Sequence, residues 1–148
     1  TIFAMDFGLI KEPLLSIVPN GIISYHHGDF RKYRGIPACF WPMYYAETEM
    51  NVTVQILDKG IDCGAIVKEK VIPIFRKDTL KVLNRRAYTQ TYSMAADACE
   101  LLDNEQFTPQ KLLKKELGKV YTTPTIVHWM IFIFRVTIRR FRWFLLKT

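Results

Sequence analysis

Apolar and polar residues alternate from Met50 to Leu57, which is the period-two pattern of a β-strand with one wetter face. A loop follows at 58–64, and the apolar segment 65–74 predicts a strand that runs back beside the first. The two strands therefore form a β-hairpin. Its loop contains two aspartates and two glycines, so the tip of the hairpin can be aimed at a functional site.

Shorter apolar runs and helical patterns flank this hairpin, and together they predict an α/β fold. Further strands are predicted at 2–5 and 22–26, and helices at 12–18, 38–46, 78–102, 109–117 and from 126 onward. Asp78 is the predicted cap of the long helix, whose length suggests a break, and the aromatic residues of 38–46 are expected in the core. The strand at 22–26 brings Ser24 and His26 to its carboxyl end, where ligands bind in open α/β sheets.

The composition is that of one globular domain. The chain has 148 residues, of which 49% are hydrophobic, enough to bury a sizeable core. Cys39, Cys63 and Cys99 are odd in number and lack CxxC spacing, which argues against a disulfide framework or a zinc site and favours a reducing cytosol. The first residues contain no charged leader and do not indicate a signal peptide.

Positive charge is concentrated at the end of the chain. The formal net charge is +7, but five of the 21 basic residues and none of the 14 acidic residues lie within 124–148, which leaves 16 basic and 14 acidic residues in the other 123. This nearly neutral body offers no extended basic footprint for a nucleic acid.

The tail itself is apolar and basic. Its apolar run at 126–134 is too short to cross a bilayer, which takes about 20 residues. On a helix, Arg135, Arg139 and Arg142 would form a basic stripe beside the apolar residues 143–145. Two alternatives remain open for this helix: contact with a membrane surface through residues 126–147, or packing against a part of the protein that this sequence lacks. A homodimer is also left open.

Two places in the sequence are suited to acid–base chemistry: the strand end at 24–29 and the hairpin loop at 58–62. A carboxylate beside a histidine orients the ring and favours its protonated form, which makes His26 and Asp62 the candidate pair. A histidine with an ordinary structural role is the alternative. His27 faces the opposite side of an extended segment and is expected to be structural or at the surface.

At these two places the sequence resembles a known family. The segments "SYHHGDFRKYRGIPACFW" and "MNVTVQILDKGIDCGAIV" are similar to the two signature segments of the folate-dependent formyltransferases. The first segment matches at His26 and at Arg34–Gly35, and the resemblance extends over residues 2–124. The second segment matches the family pattern Asp-x-Gly-x-Asp-x-Gly through Asp58, Gly60, Asp62 and Gly64.

The resemblance implies the C-terminal part of a Rossmann-like formyltransferase domain at 1–124, with the catalytic aspartate on the hairpin loop. C-terminal helices follow, and the basic, apolar tail helix at 125–148 ends the chain. The family moves a formyl group from 10-formyltetrahydrofolate to an amine and needs no metal. By this likeness His26 polarises the formyl carbonyl, while Asp62 orients His26 and assists removal of the amine proton.

By the same likeness, Asp58, Gly60 and Ile61 are the residues that contact the folate. Asp58 is expected to shape the loop rather than to catalyse. Gly60 and Gly64 are expected to adopt positive φ, a conformation that suits glycine.

Three departures from the family pattern fall in the first segment. Ser24 stands where the family has a catalytic asparagine, and a hydroxyl on a shorter side chain only partly replaces an amide. His27–Gly28 replaces a Pro-Ser pair, and Arg31 replaces a later proline. The basic residues at 31–34 either bind a phosphate or form a solvated turn, and Arg34 is expected to have a structural partner.

The resemblance predicts a cytoplasmic enzyme, associated with a membrane if the tail binds one, that formylates a nucleotide-linked amino sugar. Two alternatives remain. One is a formyltetrahydrofolate hydrolase, because a histidine at position 27 is also a point of similarity to that class of enzyme. The other is a truncated, non-catalytic module. The first half of the family's domain would precede Thr1, so we expect a fragment of a longer enzyme or a shortened relative.

Overall fold

A mixed β-sheet forms the framework of the protein. The computed structural model describes residues 1–4 and 9–145. Its strands are β1 (Ile2–Ala4), β2 (Ile22–His26), β3 (Tyr33–Gly35), β4 (Glu49–Ile56), β5 (Ala65–Pro73), β6 (Gln110–Lys111) and β7 (Lys119–Tyr121). The main sheet has the order β1-β2-β4-β5-β6, in which β1 and β2 are parallel and the other neighbours antiparallel. β3 and β7 pair in parallel in a second sheet.

Helices pack around this framework, which confirms the predicted α/β class. Within the described residues they are α1 (Leu14–Ile17), α2 (Phe40–Tyr44), α3 (Leu80–Thr91), α4 (Met94–Asp103) and α5 (Ile126–Leu145). A 3-10 turn occupies Lys114–Glu116. α1 and α2 are shorter than the predicted segments 12–18 and 38–46.

β4 and β5 form the predicted hairpin, and β-branched residues fill its core positions. Val52 and Val54 are fully buried, and such side chains suit the packed face of a sheet. The register between the strands shifts between Val54 and Gln55, and a bulge of this kind bends a strand and redirects the side chains beyond it. The loop at 57–64 begins just after this irregularity.

The pairing of β3 with β7 fixes the chain that follows β2. Gly35 has a φ of +86°, and a Cβ placed on it would lie 2.0 Å from the carbonyl oxygen of Tyr121. A residue with a side chain therefore fits neither the conformation nor the space. β3 is held against the C-terminal part of the chain.

The aromatic residues of α2 form the centre of a hydrophobic core, as predicted. Phe40 is fully buried, and its ring stacks on Phe132 of α5 with the ring centroids 4.7 Å apart. Arg135 of α5 also donates to the carbonyl oxygen of Tyr44 at 2.8 Å. The tail helix is therefore packed against the rest of the described chain.

The long helix predicted over 78–102 is broken into α3 and α4, as its length suggested. The break lies at 92–93, and the hydroxyl of Tyr25 bridges it. This hydroxyl donates to the carbonyl oxygen of Thr91 at 2.5 Å and accepts from the N–H of Ala95 at 2.9 Å. A side chain from β2 thus supplies hydrogen-bond partners to backbone groups that have none within the broken helix.

The prediction that Asp78 caps this helix is wrong. The hydroxyl of Thr79 accepts the N–H of Val82 and begins α3. The carboxylate of Asp78 instead accepts two hydrogen bonds from the guanidinium of Arg86 and one from the N–H of Phe75. Charge-assisted, bidentate bonds of this kind are stronger than a neutral cap contact.

The prediction of a helix at 109–117 is also wrong. Gln110 and Lys111 pair with the start of β5 as an edge strand. Leu112 then turns inward and packs with Phe30 and Ile66, while Leu113 remains exposed. The backbone of this segment is extended because the edge of the main sheet offers it hydrogen-bond partners.

Within the part of the chain that the structure describes, no helix combines the length and the apolar character needed to cross a membrane. The division into a partial catalytic domain at 1–124 and a tail at 125–148 stays a prediction. The predicted strand end at Met5 and the last residues of the tail, 146–148, lie outside the described residues.

Candidate active site

β2 ends at His26, whose imidazole contacts the hairpin loop. Only 8% of the residue is exposed, and Nδ1 lies 3.2 Å from Oδ2 of Asp62. On the other side of the ring, Nε2 lies 2.9 Å from the carbonyl oxygen of Tyr33. The fold therefore brings together the two residues that the sequence singled out for acid–base chemistry.

The two nitrogens of the His26 ring have different neighbours. A carbonyl oxygen only accepts hydrogen bonds, so Nε2 is the nitrogen that donates to Tyr33. Nδ1 is the nitrogen that faces the carboxylate of Asp62 on the hairpin loop.

Asp62 is held through both carboxylate oxygens. Oδ2 accepts the backbone N–H of Gly35 at 2.6 Å, and Oδ1 accepts the side-chain amide of Gln55 at 3.3 Å. Asp62 has a φ of +42°, in the left-handed region that costs a non-glycine residue free energy unless its surroundings hold it there. These contacts fix the carboxylate toward His26.

Gln55 is a site residue that the sequence pattern did not reveal. The period-two pattern assigns it to the wetter face of β4, yet only 2% of it is exposed. Its amide donates to Asp62, and its Oε1 accepts the N–H of Gly64 at 3.0 Å. One side chain therefore joins the strand before the loop to two residues near the loop's end. A polar residue three positions before Asp58 was the available signal.

The prediction of positive φ for the loop glycines is wrong. Gly60 and Gly64 are not among the glycines with positive φ, and their role is close packing. A Cβ on Gly64 would lie 2.0 Å from the carbonyl oxygen of Ile56, and one on Gly60 would lie 2.6 Å from Sγ of Cys63.

Arg34 has the structural partner that the sequence predicted. Its guanidinium donates to the carbonyl oxygens of Ile61, Asp62 and Gly118, which ties the hairpin loop to the segment before β7. The neighbouring basic residues form ion pairs, Arg31 with Asp29 and Glu69, and Lys32 with Glu47. The structure thus favours a turn of paired basic residues over a phosphate site.

A cleft of about 660 Å³ opens beside the His26–Asp62 pair, within the size range of small-molecule sites. It brings together all the residues predicted for catalysis and folate contact, namely Ser24, His26, Asp58, Gly60, Ile61 and Asp62. Among the described residues, no group of three or more histidine, cysteine, aspartate or glutamate side chains could hold a metal ion.

A family model described as formyl transferase matches residues 2–99 of the chain. The chain belongs to this formyl transferase family.

Methionyl-tRNA formyltransferases are similar to this family member in sequence. That of Anaeromyxobacter dehalogenans is 28% identical over 122 residues, covering 76% of this chain and 39% of that enzyme. That of Synechocystis is 28% identical over 104 residues, covering 70% of this chain and 32% of that enzyme. The chain therefore spans well under half the length of these relatives.

Solved structures of formyltransferases share the fold. The N-formyltransferase from Helicobacter canadensis, solved with folinic acid and dTDP-3-aminofucose, has a TM-score of 0.61 and 22% identity over 68% of this chain and 37% of its own. PseJ from Anoxybacillus kamchatkensis, solved with UDP-4,6-dideoxy-4-formamido-L-AltNAc and tetrahydrofolate, has a TM-score of 0.68 and 16% identity over 81% of this chain and 61% of its own. They confirm the predicted Rossmann-like formyltransferase fold.

Ser24 occupies the asparagine position of the formyl transferase pattern and lines the cleft. Its hydroxyl donates to the carbonyl oxygen of Tyr25 at 3.4 Å, which is long for an O–H donor. In the described part of the chain, no hydrogen bond joins Ser24 to His26 or Asp62. A catalytic role for Ser24 stays a prediction.

Asp58 holds the beginning of the formyl transferase loop. It accepts the N–H of Lys59 at 2.6 Å and pairs with the ammonium group of Lys111. The hydrogen bond from Lys111 lowers the pKa of Asp58 below its ordinary value. These contacts agree with the loop-shaping role predicted for Asp58.

Gly28, which replaces the serine of the formyl transferase pattern, leaves room for the ring of His26. A Cβ on it would lie 2.5 Å from Nε2 of His26 and 2.8 Å from the carbonyl oxygen of Tyr33. We expect Gly28→Ala to displace the imidazole and to lower the formyl-transfer rate about 10²-fold, the cost of a misplacement near 1 Å. Rate assays and urea unfolding of the variant check this. A folded variant with the wild-type rate would show that His26 does not depend on this space.

Proposed function

We propose that this chain holds the catalytic pair and the folate-binding loop of an enzyme that transfers a formyl group from 10-formyltetrahydrofolate to an amine. The observation that supports this best is the contact between His26 and Asp62 beside a cleft of small-molecule size. Membership of the formyl transferase family supports the same chemistry. PseJ, which shares the fold, was solved with tetrahydrofolate.

We assign donor binding to the hairpin loop. Asp58, Gly60 and Ile61 line the cleft, and the half-exposed side chain of Ile61 offers an apolar surface for a planar ring. The carbonyl oxygen of Ile61 is already bonded to Arg34 at 2.6 Å. Because these contacts order the loop before the donor arrives, less entropy is lost on binding.

His26 acts as the electrophilic group in the proposed reaction. As the amine attacks the formyl carbon, negative charge develops on the formyl oxygen, and the Nδ1 proton of His26 is donated in a hydrogen bond to it. Asp62 stabilises the protonated ring and accepts, through water, the proton that the amine loses. The hydroxyl of Ser24 adds a second donor. The bond between the formyl carbon and the folate nitrogen then breaks, and that nitrogen takes up a proton.

We further propose a nucleotide-linked amino sugar as the acceptor. Residues 1–123 have 16 basic and 14 acidic side chains, whereas binding to a transfer RNA depends on phosphate contacts from a basic surface. The N-formyltransferase from Helicobacter canadensis, which shares the fold, was solved with dTDP-3-aminofucose. Methionyl-tRNA is the rival acceptor, since the similar sequences include methionyl-tRNA formyltransferases.

Titration with 5-formyltetrahydrofolate tests the donor site in the 148-residue chain. We expect saturable binding, weakened at least about tenfold by Ile61→Asp because the donor then buries a charge in the cleft. Ile17→Asp is the matched control, since Ile17 is exposed on α1 and outside the cleft. If the folded wild-type chain does not bind, the proposal fails in favour of a non-catalytic module.

The reaction is tested with the longest polypeptide that the gene encodes, 10-formyltetrahydrofolate and either a dTDP-linked or a UDP-linked amino sugar. We expect a formamido sugar and tetrahydrofolate as products. Release of formate in the absence of any amine would identify a hydrolase and overturn the proposal. Formylation of methionyl-tRNA but not of the sugar would overturn the acceptor while leaving formyl transfer intact.

A further inference from the structure

The outer face of α5 is a continuous apolar surface. Six large side chains on it are between 41% and 66% exposed: Met130, Ile133, Phe134, Ile138, Phe141 and Phe144. The opposite face of the helix packs on the core through Phe132, which is buried, and Val136. Exposed apolar patches of this extent mark interaction sites on soluble proteins.

Arg135, Arg139 and Arg142 fall at i, i+4 and i+7 of α5, along the stripe that the sequence predicted. Arg135 and Arg139 donate to the carbonyl oxygens of Tyr44 and Asp78, although Arg135 is exposed, as are Arg140 and Arg142. At 3.6 residues per turn, Arg140 and Arg142 fall on opposite borders of the apolar face, so the exposed feature is an apolar stripe edged by positive charge.

We propose that this outer face lies on an anionic membrane surface, with α5 in the plane of the headgroups. A helix of this kind buries its apolar face at the headgroup boundary and sets basic residues against anionic lipid. α5 contains no acidic residue, and Lys77 lies over the ring of Trp143 near its C-terminal end. The charged side chains of α5 itself are therefore all basic.

Charge complementarity favours lipid over a second copy of the chain as the occupant. Two copies that paired through this face would bring the arginine borders of one helix near those of the other, with no carboxylate on either helix to compensate. An anionic bilayer supplies opposite charge along both borders and an apolar layer between them. This inference does not depend on the proposed catalytic function.

Co-sedimentation with vesicles tests the proposal on the 148-residue chain. We expect binding to vesicles of phosphatidylcholine and phosphatidylglycerol in equal amounts, weaker binding to phosphatidylcholine alone, and a loss of binding as salt is raised. Arg140→Gln/Arg142→Gln should weaken binding to the mixed vesicles roughly 30-fold, because each basic residue near an anionic membrane surface contributes about 1 kcal/mol to binding. Phe134→Ser/Phe141→Ser should weaken binding to both kinds of vesicle.

Lys114→Gln/Lys115→Gln is the matched control, since it removes two exposed charges from the 3-10 turn instead of α5. It should bind the mixed vesicles within about twofold of the wild-type chain, a change too small to reflect loss of a surface contact. An equal loss in this control would show attraction by net charge alone and overturn the proposal. So would failure of the folded wild-type chain to bind, or a dimer in sedimentation equilibrium that Phe134→Ser/Phe141→Ser disrupts while vesicle binding persists.

Discussion

Replacing His26 with alanine is expected to lower the rate of formyl transfer by at least about 10²- to 10³-fold, the cost of losing one donor to a developing oxyanion. The proposed donor is Nδ1, the ring nitrogen that lies 3.2 Å from Asp62, in a residue that lines the cleft, and alanine offers no donor in its place. The affinity for 5-formyltetrahydrofolate should change much less than kcat. Steady-state rates and titration with this folate are the measurements.

His27 supplies the control for this experiment. Its ring lies 4.2 Å from that of Tyr88, measured between centroids, and His27 is not among the described residues that line the cleft with His26 and Asp62. His27→Gln should therefore transfer formyl groups within a few-fold of the wild-type rate, since it leaves the His26–Asp62 contact in place. If His26→Ala remained folded and kept the wild-type kcat, the catalytic assignment of His26 would be refuted.

The sequence predicted the parts of the site that follow from local pattern and family resemblance. Alternation from Met50 to Leu57 predicted β4, and the motif in the loop that follows placed Asp62 beside His26, as the 3.2 Å contact shows. The hydrogen bond of Gln55 to Asp62 could not be predicted in this way. The pattern assigns Thr53 and Gln55 to a wetter face of β4, but both residues are buried in the fold.

One wrong prediction and one contact that was not predicted share a tertiary cause. Residues 109–117 have a sequence compatible with a helix, but the open edge of β5 recruits Gln110 and Lys111 as a strand. Arg135 and Arg139 fall on one helical stripe, as expected, but carbonyl oxygens at the end of α2 and before α3 draw them inward. In both cases the partners are distant in sequence, and periodicity alone does not identify them.

The ion pair between Asp78 and Arg86 links β5, α3 and α5. The carboxylate of Asp78 is fully buried and accepts hydrogen bonds from both terminal nitrogens of Arg86, at 2.6 and 2.7 Å. Arg86 also donates to the carbonyl oxygen of Pro73 at 2.7 Å, and Arg139 donates to that of Asp78. Burial by itself raises the pKa of Asp78, but the hydrogen bonds from Arg86 and Phe75 outweigh it and lower the pKa below its ordinary value.

Arg86→Met is expected to lower the free energy of unfolding at neutral pH by about 3–5 kcal/mol, because it leaves a buried carboxylate without its partner. The lowered pKa of Asp78 means that the wild-type pair stabilises the fold above the unfolded-state pKa of aspartate, about 4, and that this stabilisation is lost as pH falls through the folded-state pKa. The difference between the two proteins should therefore shrink in acid. Urea unfolding at a series of pH values measures it.

A matched control and a double mutant separate the missing partner from the loss of a side chain. Asp97→Asn removes the half-exposed pair with Lys68 and should cost less than about 1 kcal/mol. Asp78→Leu/Arg86→Met replaces both charges, so its cost should be smaller than the sum of the two single changes, since no buried charge is left unpaired. Additive costs would mean that Asp78 and Arg86 stabilise the fold through separate contacts. In that case the link between β5, α3 and α5 would not depend on their charges.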